Sequence, residues 1–124
     1  MVFVGKCDTL LKNKAAKEAN EMLRAMFQGN AKELFEYTQL SWRVIKKVFI
    51  FNKHKKPETL FIPEFKSYQI EQITFHSRVM IDVFVSFAGL GKYRIRMVAE
   101  KKPYITHPEA RFRYNPNSLR LIES

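Results

Sequence analysis

Two short stretches carry the most conspicuous chemistry in the chain: Tyr93-Arg94-Ile95-Arg96 and Arg111-Phe112-Arg113-Tyr114. In an extended strand successive side chains point to opposite faces, so each stretch turns both its guanidinium groups one way and both its large apolar residues the other. A guanidinium is a planar, permanently charged fork that matches carboxylate and phosphate. With Arg78 and Lys92 nearby, Arg94, Arg96, Arg111 and Arg113 make a basic face, broken by Met80, Phe84 and Val98. Part of such a row is explained by solvation, because the outer side of a half-exposed sheet must be polar. The signs are unbalanced, however, since Asp82 and Glu100 are the only acidic counterweights. Two anionic partners fit. Arginine among apolar residues is typical of a protein interface, which suits an acidic protein. Nucleic acid would be held through its phosphates, although Phe84 alone is not the stacking platform of single-strand binders. A second basic cluster, Lys46, Lys47, Lys53, Lys55 and Lys56, either extends this surface or is a solvated loop.

Catalytic candidates are sparse. Cys7 is the single cysteine, so an internal disulfide and a multi-thiolate zinc site are excluded, and no neighbouring histidine activates it. His54 and His107 fall in loops, and no two histidines have metal-ligand spacing on one element. His76 and Asp82 lie six residues apart, about 20 Å along a strand, too far for a dyad unless the chain bends between them. Asp82 is expected instead in a surface ion pair. Gly89-Leu90-Gly91-Lys92 resembles a fragment of a phosphate loop, but it joins two strands rather than opening a helix. No catalytic residue, metal ligand or cofactor is therefore assigned.

A formal charge of +10 on 124 residues is the strongest global feature and implies affinity for something anionic. A hydrophobic content of 46% with 11 Phe is enough for one core, so one domain spanning 1–124 is expected. No transmembrane segment is present: the longest apolar stretch, "VIKKVFIF", is short and interrupted by lysines. "MVFVGKC" is too short for a signal peptide, which favours the cytoplasm, though a removed leader or anchor would leave the same sequence.

The elements that position these residues follow from period. Residues 10–27 align Leu11, Ala15, Ala19, Met22, Leu23, Met26 and Phe27 on one helical stripe, with Lys12, Lys14, Lys17, Glu18, Glu21 and Arg24 elsewhere. Gly29 ends that helix, and Asn30 with Glu33 caps a second bearing Leu34, Phe35 and Thr38. A third helical pattern, Trp42, Ile45 and Phe49, runs into the polar loop "NKHKKP". From Glu58 the period becomes two. In "SYQIEQITF", Tyr68 and Ile70 share one phase and Ile73 and Phe75 the other, so a bulge near Glu71 or Gln72 is predicted. "VMIDVFVSF" and "KYRIRMVAE" then form a hairpin. Pairing Phe87 with Lys92 would mix charge into the apolar face. A loop of Gly89 to Gly91 instead pairs Phe87 with Tyr93, Val85 with Ile95 and Val83 with Met97, leaving Ile81, Val83, Val85, Phe87, Tyr93, Ile95, Met97 and Ala99 on one apolar face. "ARFRY" follows a connection with Pro103 and Pro108, Phe112 and Tyr114 pointing inward and Arg111 and Arg113 outward. "NPNS" turns the chain into a last strand, "LRLI".

Helices followed by a curved antiparallel sheet make an α+β fold. Three stretches resemble the nuclear transport factor 2-like, or cystatin-like, superfamily: "AAKEANEMLRAMFQGNAKELFEYT" its opening helices, "RVMIDVFVSFAGLGKYRIRMVAE" its long hairpin, and "RFRYNPNSLRLIE" its closing strands. The resemblance implies a cone of two or three helices on a curved sheet, with an interior pocket here lined by Phe, Tyr and Met, and with Phe112 where many relatives carry Trp. It also implies dimerisation through the sheet's outer face, where stacked arginines would repel across a two-fold axis unless Asp82 or Glu100 of the other copy met them. Members are enzymes of the ketosteroid isomerase-like and polyketide cyclase-like kinds, or non-catalytic binding modules, and fold does not choose between them. Two functions are thus expected: a binding or assembly module using the basic face, or a small-molecule protein or enzyme using the aromatic interior for a hydrophobic ligand.

Overall fold

The computed structural model describes residues 1–28, 34, 36–38, 67–101, 110–115 and 118–123. The patterns at Ser41–Phe49 and "NKHKKP", the Asn30–Glu33 cap, the Pro103–Pro108 connection, the second basic cluster, His54 and His107 lie outside them.

The architecture is α+β, one helix packed on a six-stranded open sheet. Its elements are β1 (Val2–Val4), α1 (Thr9–Gln28), β2 (Tyr68–Phe75), β3 (Met80–Phe87), β4 (Gly91–Glu100), β5 (Arg111–Tyr114) and β6 (Arg120–Glu123). Strand order is β1-β2-β3-β4-β5, with β6 also on β4. Two or three helices were expected, and α1 is the one full-length helix among the described residues. Leu34 and Glu36 are helical. There Thr38 donates its hydroxyl to the Leu34 carbonyl at 2.7 Å, and the chain leaves to bridge Tyr114 in parallel.

Asp8 caps α1: its carboxylate accepts the Leu11 amide at 2.8 Å, satisfying a donor that the first turn leaves free. The helix lays Leu11, Ala15, Ala19, Met22, Leu23 and Met26 on the inner face of the sheet, where Ala15 and Ala19, both fully buried, permit close approach. Glu18 corrects its expected solvated place. It is buried and accepts the Phe112 amide and the Lys14 ammonium, each at 2.8 Å. An edge-strand N–H and a helix carboxylate thereby satisfy each other.

The predicted bulge is present. Register steps from Ile70↔Val85 to Gln72↔Phe84 and skips Glu71, so Ile70 and Ile73 both reach the core. The β3–β4 register differs from expectation by two residues: Phe87 pairs with Gly91, Val85 with Tyr93, Val83 with Ile95 and Ile81 with Met97. The turn closes earlier because the Leu90 amide bonds the Phe87 carbonyl at 3.0 Å, with Gly89 at φ 86° in the third position, where a left-handed residue is required. A two-residue shift preserves faces, so the apolar face stands while its cross-strand neighbours change.

β5 and β6 run the same way along β4, pairing Met97↔Tyr114 and Arg94↔Arg120. "NPNS" is thus an interruption in one edge, not a reversal. The Asn115 amide bonds the Arg96 carbonyl at 3.2 Å and Ser118 Oγ accepts the Arg96 amide at 2.9 Å, so the segment's ends supply the missing ladder partners. β1, which was not foreseen, pairs in parallel with β2 and sets Phe3 against Phe75. No helix among the described residues is long and apolar enough to cross a membrane.

Candidate binding face of the sheet

The strand registers lay the outer face out in rows. Val2, Gln72, Phe84, Arg94 and Arg120 form one across β1, β2, β3, β4 and β6. Val4, Thr74, Asp82 and Arg96 form the next, and Met80, Val98 and Arg113 another. Met80, Phe84 and Val98 are each partly buried on this face.

The two-residue register change places Asp82 directly opposite Arg96, where a diagonal was expected. Arg96 Nε reaches Asp82 Oδ1 at 2.9 Å and its Nη2 reaches Oδ2 at 3.3 Å. The β2–β3 turn also bends His76 back, so that its Nε2 lies 2.8 Å from Asp82 Oδ2. The bend that a His76–Asp82 contact required is therefore present. Asp82 is only 5% exposed. Burial pushes its carboxyl up, but the hydrogen bonds from Arg96 and His76 outweigh that and hold it below the usual carboxylate range. Arg96 is raised in turn, chiefly by its hydrogen bond to Asp82.

The six predicted cations do not act as one group. Arg78 sits in the β2–β3 turn with its Nη1 3.4 Å from the helix-capping Asp8, whose carboxyl is lowered mainly by the Leu11 amide. Lys92 pairs with Glu71 at 3.2 Å. Arg111 stacks over Tyr37 at 5.5 Å and donates to its hydroxyl at 3.2 Å. Arg113, expected outside with the others, is fully buried. Its Nε donates to the Glu100 carbonyl at 3.2 Å while both terminal nitrogens lack a hydrogen-bond partner. Desolvation lowers its pKa, opposed by Glu100, Glu18 and Glu36. A surface partner cannot reach it, and alternation alone could not reveal this because it reports face, not cover.

What remains is a tighter group on β4 and β6. Arg94 donates to the Ser118 carbonyl at 3.1 Å and has Arg120 directly opposite; Arg96 lies two residues along. Arg120 is exposed and has no ion pair among the described residues. It was missed as a site residue, although its place beside β4 follows from the same alternation once β6 is seen to continue the β5 edge. No group of three or more potential metal ligands occurs among the described residues. Comparison with protein-family models, curated proteins and solved structures finds no match.

Proposed function

We propose that this chain is a non-catalytic binding or assembly module of the nuclear transport factor 2-like kind that presents the outer face of its sheet to an anionic partner, an acidic protein segment or nucleic acid. The observation that carries it is the direct pairing of Arg94 with Arg120. Like charges opposite one another across strands are destabilising, and a carboxylate or phosphate laid across both would convert that repulsion into two charge-assisted contacts. Asp82 holds the Arg96 guanidinium toward β3, and Phe84 supplies adjacent apolar surface. Homodimerisation through this face belongs to the same proposal, with Asp82 already committed within its own chain rather than free to meet an arginine of the second copy.

The test is a salt titration of binding to single-stranded and double-stranded nucleic acid and to polyglutamate, with native protein and with Arg94→Glu/Arg120→Glu. Binding that weakens steeply with salt and is lost in the variant is expected. Equal binding by native protein and variant, or none by either, overturns the proposal. One observation favours the alternative of a small-molecule protein: the Tyr114 hydroxyl is fully buried on the inner face without a hydrogen-bond partner, a polar handle in an apolar interior.

A further inference from the structure

At the turn end of the outer face lies a cleft of about 450 Å³, within the size range of small-molecule sites. Its polar side chains are Ser67, Gln69, Glu71, Ser86, Lys92 and Glu123. Gln69, Ser86, Lys92 and Glu123 are successive cross-strand neighbours on β2, β3, β4 and β6. Glu71 joins them because the β2 bulge inserts one residue with no opposite number. Bulges of this kind re-aim a side chain, and here the re-aimed carboxylate accepts the Ser86 hydroxyl and sits 3.2 Å from Lys92 Nζ. Gly91, which adds no side chain, is part of the lining.

The chemistry of the lining selects a ligand class by elimination. Two carboxylates stand in the way of an anion, and Lys92 between them stands in the way of a cation. The apolar surface open to a ligand is limited to Tyr68 and Ala88, since Phe87 is 2% exposed and turns its ring to the core. The groups that remain complementary are hydroxyls. Carboxylates, an amide oxygen and the Ser86 hydroxyl oxygen accept from them, while an ammonium and the Ser67 hydroxyl donate to them. We infer that the cleft binds a small, neutral, polyhydroxylated molecule, a monosaccharide or cyclic polyol. Glu71 is its principal acceptor and Lys92 its principal donor. The site lies on the same outer face, in the row next to Arg94 and Arg120, but uses different side chains and does not depend on that proposal.

The experiment is a two-dimensional amide NMR titration of the full chain with D-glucose, D-galactose and myo-inositol, with glycerol as a control. Saturable shifts at Ser86, Gly91 and Lys92 are expected for at least one ring polyol and not for glycerol. Affinity should weaken about tenfold or more in Glu71→Gln, a loss of about 1.4 kcal/mol. Lys92→Gln provides a second variant should Glu71→Gln lose its dispersed spectrum. No saturable shift with any of the three, shifts confined to other residues, or an unaltered affinity in the cleft variants would overturn the inference.

Discussion

Replacing Asp82 with Asn probes the outer face where its contacts are densest. Asp82 accepts two hydrogen bonds from Arg96, at 2.9 and 3.3 Å, and lies 2.8 Å from His76 Nε2. Hydrogen bonds to a charged group contribute about 1.5–3 kcal/mol each. Two facts reduce that sum. The Arg96 and His76 side chains are 39% and 42% exposed, so both regain water when the carboxylate goes. The asparagine oxygen also still accepts one bond. A net loss of about 2 kcal/mol follows, which for a domain of this size lowers the melting temperature by about 8 °C. The pH dependence carries a sign. A carboxyl held below its unfolded value near 3.9 stabilises the fold above that value, and the contribution is lost as pH falls through the lower, folded one. Native and Asp82→Asn proteins should therefore differ fully at pH 7, and the gap should narrow progressively only as pH falls below about 4 toward the folded value. Thermal melts by circular dichroism across this pH range test this. A shift under about 2 °C at pH 7, or a gap that stays constant down to acid, would refute the reasoning.

Tyr114→Phe removes a buried hydroxyl that has no partner; urea melts should show stability unchanged or raised by about 1 kcal/mol. Arg113→Met replaces a buried cation whose terminal nitrogens are unpartnered with an apolar chain of similar length, and should stay within about 1 kcal/mol of the native protein or exceed it. Arg113→Glu, by contrast, should fail to fold, as read by the loss of amide dispersion. Gly5→Ala places a Cβ 2.5 Å from the Phe75 carbonyl oxygen at φ 98°. It should cost about 2 kcal/mol or more and speed hydrogen exchange in β1 ahead of the other strands.

The legible parts of the fold were those fixed by period. The α1 stripe, apart from Phe27, which lies 47% exposed at the helix end, and the apolar sheet face follow from spacing alone, and the bulge follows from the phase break between Ile70 and Ile73. The hairpin register did not, because patterns shifted by two residues bury the same set, and only the closing Phe87–Leu90 hydrogen bond separates them. Glu18 was placed outside by its charge, yet it is drawn in by the Phe112 amide, an edge donor invisible until the strand is beside the helix. His76 and Asp82 were separated by measuring along a straight strand, whereas the turn folds that distance back. Arg113 shows that sharing a face does not mean sharing its solvent. β1 left a faint trace, a Val-Phe-Val run ended by Gly5, which suits a strand but does not announce its partner.

That short strand has a geometric consequence. Because β1 and β2 are parallel neighbours, the chain that leaves one, passes through α1 and enters the other is a crossover connection. L-amino acids give such connections a strongly preferred right hand, which commits the helix to one side of the sheet. Mirror the crossover and α1 would lie over Arg94, Arg96 and Arg120, while Ile81, Val83 and Ile95 would be turned to water. The side of β4 left open is thus tied to the placement of α1 between Val2–Val4 and Tyr68–Phe75 in the chain.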